Sequence, residues 1–283
     1  MSITISTEQV MNLRNQTGAG IMDCKAALKE ANGDIAKAVE ILRKKGIAGL
    51  AKRAGRTMKE GLVKIKNDGN KYAMLEINCE TDFVAKNPEV QAFSQELVDL
   101  MLKDESYSNP AENEKAKEKL QNVAMKTGEN MIIRRGIVYT ANPDSAIGYY
   151  IHSDNKKAAL VELNFKCDKS KKAEIETIAK ELAMQAVAMG PKWVRKEDVP
   201  AEVIEKEKEI YKATPQAQGK SEIALSKMLE GRIKKFYEDS CLLEQAFIKD
   251  SKVKIADMLK NKSQALGGEI TVKRFVSYIV GLE

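Results

Sequence analysis

A glycine followed by lysine and serine, as in Gln218-Gly219-Lys220-Ser221, ends the way a phosphate-cradling loop ends. That chemistry also needs an earlier glycine after a strand, but the earlier position holds Thr214, Pro215 follows it, and no strand pattern precedes. Gly18-Ala19-Gly20 lacks both the preceding strand and the third glycine of a dinucleotide fingerprint. The single histidine, His152, lies in a strand pattern, and no nucleophile motif places a serine or cysteine beside it. Cys24, Cys79, Cys167 and Cys241 are far apart, without a CxxC pair or companion histidines, as packing thiols are in a reducing compartment. Carboxylates are abundant but show no metal-ligand spacing such as an EF-hand. The expectation is a protein that is not an enzyme and takes no metal or cofactor.

One stretch remains after these exclusions. In LEINCETDFVAKNPEV, Leu75, Ile77 and Cys79 alternate with polar residues as a half-buried strand does, and Asn87-Pro88 opens a helix. Thr81-Asp82-Phe83-Val84 sits between them. A large ring at such a junction, beside a carboxylate, is either a clamp on the turn or a group offered to a partner.

The elements that must position it fall into recognisable pieces. Residues 1 to 45 read as three short helices. Ser6 with Gln9 makes a capping box, the Gly18–Gly20 stretch breaks the chain, and Ile21, Cys24, Ala27, Leu28 and Ala31 recur at helical spacing. Asn32-Gly33-Asp34 stops one helix and caps the next, which carries Ile35, Ala38, Val39 and Leu42. A bundle this small uses its apolar faces on its own core, so a spare apolar residue such as Met22 is a contact candidate.

A repeat follows. GLVKIKNDGNKYAMLEIN (Gly61 to Asn78) is a hairpin pattern, and YYIHSDNKKAALVELN (Tyr149 to Asn164) repeats it 86 positions later, with Glu76 and Asn78 matching Glu162 and Asn164. Each hairpin precedes an amphipathic helix, one carrying Val90, Phe93, Leu97 and Leu100, the other Ile175, Ile178, Ala179, Leu182 and Ala186. GENMIIRRGIVY then resembles GGEITVKRFVSY at an offset of 139, so the second copy carries about 53 extra residues. Those lie near Lys192 to Asp239, where narrow apolar stripes (Val203, Ile210, Leu225, Met228, Ile233, Phe236) predict a projecting antiparallel two-helix hairpin with its tip at Thr214–Gly219.

The repeat serves as an internal control. Asp82 matches Asp168, so the aspartate reads in both copies as a cap, whereas Phe83 matches Lys169. An architecture that needed a ring there would need it twice, so the control favours a displayed Phe83.

Composition bounds the rest. The 283 residues, 43% of them apolar, suffice for two or three small cores, and no run approaches a membrane span. MSITISTEQV has neither a signal nor a transit pattern, so a cytoplasmic protein is expected. The net charge of +6 arises from 47 basic residues interleaved with 41 acidic ones, a solvated helical surface rather than a nucleic-acid footprint. Arg43 to Lys59 departs from this mixture, with seven basic residues and no acid. It reads as a solvated linker, with RNA or an acidic protein surface as the other readings; it lacks the aromatics that stack bases.

NQTGAGIMDCKAALKEANGDIAKAVEILRKKG, NCETDFVAKN, GENMIIRR and EGRIKKFYEDSCLLEQAFIKD, in this order, resemble translation elongation factor Ts, the guanine nucleotide exchange factor of elongation factor Tu. The last residues read IVGLE where many members read closer to EVGEG. The resemblance implies an α+β fold: a three-helix, ubiquitin-associated-like domain with a basic linker (1–55), core subdomain N (56–141), core subdomain C (142–190 and 240–266), a coiled-coil insertion (191–239), and a C-terminal strand segment completing the core (267–283). It implies that Thr81, Asp82, Phe83 and Val84 enter elongation factor Tu, GDP-bound or nucleotide-free, wedge between its helices and disturb its magnesium site. It further implies partner contacts at Arg14, Ile21 and Met22. No membrane or direct nucleic-acid partner is expected. The alternative is an RNA-binding or passive scaffold protein of the translation machinery without exchange activity.

Overall fold

The computed structural model describes residues 5–17, 19–53 and 55–282. Residues 1–4 of the N-terminal stretch, Gly18 of the glycine break, Ala54 and Glu283 lie outside the described residues. The chain divides into two units, Met1–Tyr139 with Ile279–Glu283, and Thr140–Tyr278. The architecture is α+β, with small antiparallel sheets.

The first unit begins with three helices, α1 (Thr7–Thr17), α2 (Ile21–Glu30) and α3 (Ile35–Arg53). The capping box forms: Ser6 Oγ accepts from Gln9 N at 3.1 Å, and Gln9 Oε1 accepts from Ser6 N at 3.0 Å. Asn32 and Gly33 take positive φ to end α2, and Asp34 Oδ1 then caps α3 by accepting from Lys37 N. Leu13, Cys24, Ala27, Leu28 and Ala38 are fully buried between these helices. The sequence reading of Arg43 to Lys59 as linker is corrected for residues 43–53, which continue α3, while residues 55–59 lie outside helix and strand. The segment has no proline to stop it. Gly46 packs so closely on the following bundle that a Cβ would lie 2.2 Å from Met125 Sδ, and Arg43 pairs with Glu118.

The unit continues with β1 (Glu60–Asp68) and β2 (Lys71–Cys79), an antiparallel hairpin whose register closes at Asp68 opposite Lys71. Then come a single turn α4 (Asp82–Ala85), α5 (Pro88–Lys103), α6 (Glu114–Thr127) and β3 (Met131–Thr140), with sheet order β1-β2-β3. Leu75, Ile77 and Cys79 of β2 pack with Val90, Phe93 and Leu97 of α5. Strand β2 is buried along nearly its whole length rather than on one face only. Glu76 is among its buried residues, and Arg135 of β3 donates Nε to its Oε2 at 2.7 Å.

The second unit repeats this plan. Strands β4 (Ser145–Ile151) and β5 (Lys157–Lys166) form the hairpin and α7 (Lys172–Met189) covers it. The helix lies so close that a Cβ on Gly148 of β4 would sit 2.2 Å from Lys180 N, so only glycine fits. After α8 (Ala201–Lys212), α9 (Glu222–Ser240) and a short ribbon, β6 (Ala246–Phe247) with β7 (Asp250–Lys254), the repeat resumes. Helix α10 (Ile255–Ala265) and β8 (Glu269–Ile279) then complete the sheet order β4-β5-β8. Arg274 Nε donates to the fully buried Glu162 Oε2 at 2.7 Å, the counterpart of Arg135 on Glu76 at both sequence offsets. Helices α8 and α9 form the expected two-helix arm with a tip at Pro215–Ala217. Its base is strapped: Ser240 O accepts from Lys192 N and Trp193 N, and Trp193 O accepts from Leu242 N. The arm's apolar stripe is thin, since Ile233 is the only residue of either helix that is buried, while Ile210 and Ile223 are exposed.

Candidate functional site

Between β2 and α5 the chain makes one helical turn. Thr81, in extended conformation, is its N-cap and Oγ1 accepts from Val84 N; Ala85 N donates to Thr81 O, and Lys86 N to Asp82 O. Successive residues on a helix point about 100° apart, so a four-residue turn sends its side chains to different sides. Val84 packs on the core beneath and Ala85 is buried, which turns Phe83 outward: its ring is 82% exposed. Asp82 lies at the surface with Lys86 Nζ 2.7 Å from its Oδ2. Asn87 then caps α5 by accepting from Glu89 N, with Pro88 at its first position.

The internal control is thereby refined. In the second copy the turn at Lys169–Lys171 is capped by Asp168, whose Oδ1 accepts from Ser170 N at 2.8 Å. In the first copy the cap is one residue earlier, at Thr81, so Asp82 does not have the capping role read from sequence. Threonine already supplies the acceptor, which frees Asp82 for an i,i+4 ion pair.

What supports the turn was not read from sequence. Glu129, from the segment between α6 and β3, accepts from Glu80 N at 3.1 Å and Thr81 N at 3.0 Å through Oε2, and from Thr81 Oγ1 at 2.5 Å through Oε1. Glu80 reciprocates by accepting from Asn130 N at 2.8 Å, and its other oxygen takes Arg56 Nη1 at 3.1 Å. Below them Cys79 Sγ donates to Thr81 O at 3.1 Å. Burial, with the Glu129 and Glu60 carboxylates adding to it, pushes that thiol up to about 12, so it stays a neutral donor. The available signal was GENMIIRR itself, a polar Glu-Asn pair immediately before a strand.

The head residues lie around the break between α1 and α2. Arg14, in the last turn of α1, is exposed; Ile21 and Met22, in the first turn of α2, are 48% and 76% exposed. Met11 is exposed three residues before Arg14, so the two share a helix face, a spacing the sequence reading missed. These residues lie on α1 and α2, whereas residues 81–84 come together on the single turn of α4 and its cap. In the basic segment Arg43, Lys45 and Arg56 pair with Glu118, Glu30 and Glu80, so much of its charge is locally neutralised.

Among the described residues no group of three His, Cys, Asp or Glu side chains is arranged to hold a metal ion, and no helix is long and apolar enough to cross a membrane. The arrangement offers recognition: a displayed ring on a braced turn, and an apolar surface on the head.

Comparison with known proteins places the whole chain in a family. The family model described as "Elongation factor TS" matches residues 80–282, beginning at the braced turn. The chain is 40% identical to elongation factor Ts of Trichlorobacter lovleyi over 293 residues, covering 99% of this chain and 93% of that protein. It is 42% identical to those of Clostridium botulinum, over 97% of this chain and 92% of the relative, and of Symbiobacterium thermophilum, over 98% and 92%. With so much of both lengths aligned, the chain belongs to the elongation factor Ts family of translation elongation factors.

Proposed function

We propose that this protein is a guanine nucleotide exchange factor, not an enzyme, that binds elongation factor Tu, disturbs its magnesium–GDP site and promotes GDP release for reloading with GTP. The observation that carries the reading is Phe83, 82% exposed on a turn whose residues on either side are fixed. A ring held out at no benefit to the core is a group for insertion between elements of a partner. The family resemblance directs it, with Thr81, Asp82 and Val84, to the partner's nucleotide site. There the ion bridges phosphate oxygens and protein ligands, so moving those supports removes a large electrostatic part of nucleotide affinity.

Arg14, Ile21 and Met22 provide a second contact on the head, and the second unit a third on another domain of the partner. Several footholds let binding energy be used to distort the nucleotide site. No bond is made or broken, and cytoplasmic translation is the setting.

The test is release of a fluorescent GDP analogue from elongation factor Tu, with and without this protein. Acceleration at catalytic amounts supports the reading. Binding without acceleration marks a passive scaffold, and RNA retention that falls steeply with salt, without acceleration, marks an RNA-binding module.

A further inference from the structure

A turn of four residues cannot hold its own direction, because so short a helix has almost no internal hydrogen bonding. The direction of the Phe83 ring is therefore set by what grips the turn from outside. The grip is a clasp between two segments that are 49 positions apart. Glu129 accepts from Glu80 N, Thr81 N and Thr81 Oγ1 at 3.1, 3.0 and 2.5 Å, and Asn130 N returns a bond to Glu80 Oε1 at 2.8 Å. Bonds to a carboxylate are the strong class, and two of the three that Glu129 accepts come from Thr81, the residue that caps the turn, with the third from its neighbour Glu80.

The second copy indicates that the clasp is not demanded by the architecture. The offset of 139 places Gly268 opposite Glu129. No side chain fits there: a Cβ would lie 2.2 Å from Lys166 O. Lys166, the counterpart of Glu80, instead pairs with Glu269, and the turn that follows is capped by its own Asp168. The acid is present in the copy that displays a ring and absent from the copy that carries Lys169.

We infer that Glu129 is a positioning residue for nucleotide exchange, acting through Thr81 to aim Phe83 at the partner. This rests on the reading of Phe83 given above. The sequence alone hides it, because Glu129 lies in another segment and never touches the ring's own turn except through the cap.

The test uses the full chain with Glu129→Ala and Glu129→Gln, each alone and combined with Phe83→Ala, against elongation factor Tu carrying a fluorescent GDP analogue. Glu129→Ala lowers the maximal release rate at saturating factor by roughly tenfold or more, the scale expected when a reacting element is misplaced by about an ångström. Hydrogen exchange of the Glu80 and Thr81 amides speeds up in the same variant. Glu129→Gln, which keeps an acceptor for the amides, restores a substantial part of the rate. In the Phe83→Ala background Glu129→Ala changes the rate by less than about twofold, since residues acting as one unit are not additive.

The inference is overturned if Glu129→Ala keeps the wild-type maximal rate while those amides lose protection. It is also overturned if Glu129→Ala slows release equally with and without the ring. Should Glu129→Ala fail to fold, Glu129→Gln decides: rate and Glu80 and Thr81 amide protection that fall or persist together, with any slowing dependent on the ring, support the inference, and a rate that falls while the amides keep wild-type protection, or regardless of the ring, sinks it. If Phe83→Ala exchanges at the wild-type rate, the reading of the ring itself fails and this inference fails with it. A slow Phe83→Ala beside a fast Glu129→Ala removes the inference alone.

Discussion

Truncating Phe83 to alanine removes a ring that is 82% exposed, so the thermal midpoint is expected to move by no more than about 2 °C, whereas a buried aromatic would cost roughly 3 to 5 kcal/mol. The same variant is expected to bind elongation factor Tu through its other contacts while GDP leaves that partner at least about tenfold more slowly than with the unaltered chain, which is 1.4 kcal/mol of lost distortion. Differential scanning fluorimetry beside stopped-flow release separates the two effects, and a loss of midpoint with an unchanged rate would sink the assignment. Neighbouring residues respond differently because their roles differ. Thr81→Val loses the cap and a carboxylate-bound hydroxyl, with an expected loss of about 1 kcal/mol in denaturant unfolding. Asp82→Ala loses an exposed ion pair and is expected to stay within about 0.5 kcal/mol.

Among the elements, the sheet of the second unit carries a buried charge cluster. Glu162 of β5 is fully buried, with Lys273 Nζ on Oε1 at 2.9 Å and Arg274 Nε on Oε2 at 2.7 Å. Burial alone would raise this carboxyl, but bonds from Lys273, Arg274 and Ser145 hold it below the usual carboxylate range. A depressed acid contributes stability above its unfolded value, near 4.3, and loses it as pH falls through the lower folded value. Glu162→Gln is therefore expected to lower stability at neutral pH by roughly 1 to 3 kcal/mol, and to flatten the decline on acidification. Urea titrations at pH 7 and pH 3 read both; an equal loss at the two pH values would contradict the charge argument. The arm is the opposite kind of element. Because α8 and α9 bury only Ile233, replacing residues 201–232 by a short glycine-serine linker is expected to leave a cooperative transition, with a midpoint within about 4 °C. A broad transition with dye binding would show that the arm supports the core.

For the whole molecule, exchange by distortion carries a thermodynamic obligation. On the proposed reading, the factor by which this protein weakens GDP on elongation factor Tu must equal the factor by which GDP weakens this protein's own binding. Calorimetric titration of the partner with and without excess GDP is expected to give equal ratios, and a GDP-independent affinity would leave only a scaffold. How much of this was legible in the chain follows from which interactions are local. The hairpins, the caps at Ser6 and Asn87, the arm and the duplication with its insertion are written in spacing and turn chemistry, which act over a few residues, so the sequence by itself determined them. Phe83 as a displayed ring was also legible, because the second copy holds Lys169 in its place. The continuation of α3 to Arg53 was not, since it depends on Gly46 meeting Met125 of a helix far along the chain. Nor was the cap at Thr81 instead of Asp82: both residue types cap, and the choice follows from Glu129 gripping Thr81 at 2.5 Å. Only the tertiary structure could decide which carboxylate reaches which amide, because hydrogen bonds between segments depend on where the packed sheet and helices bring their ends.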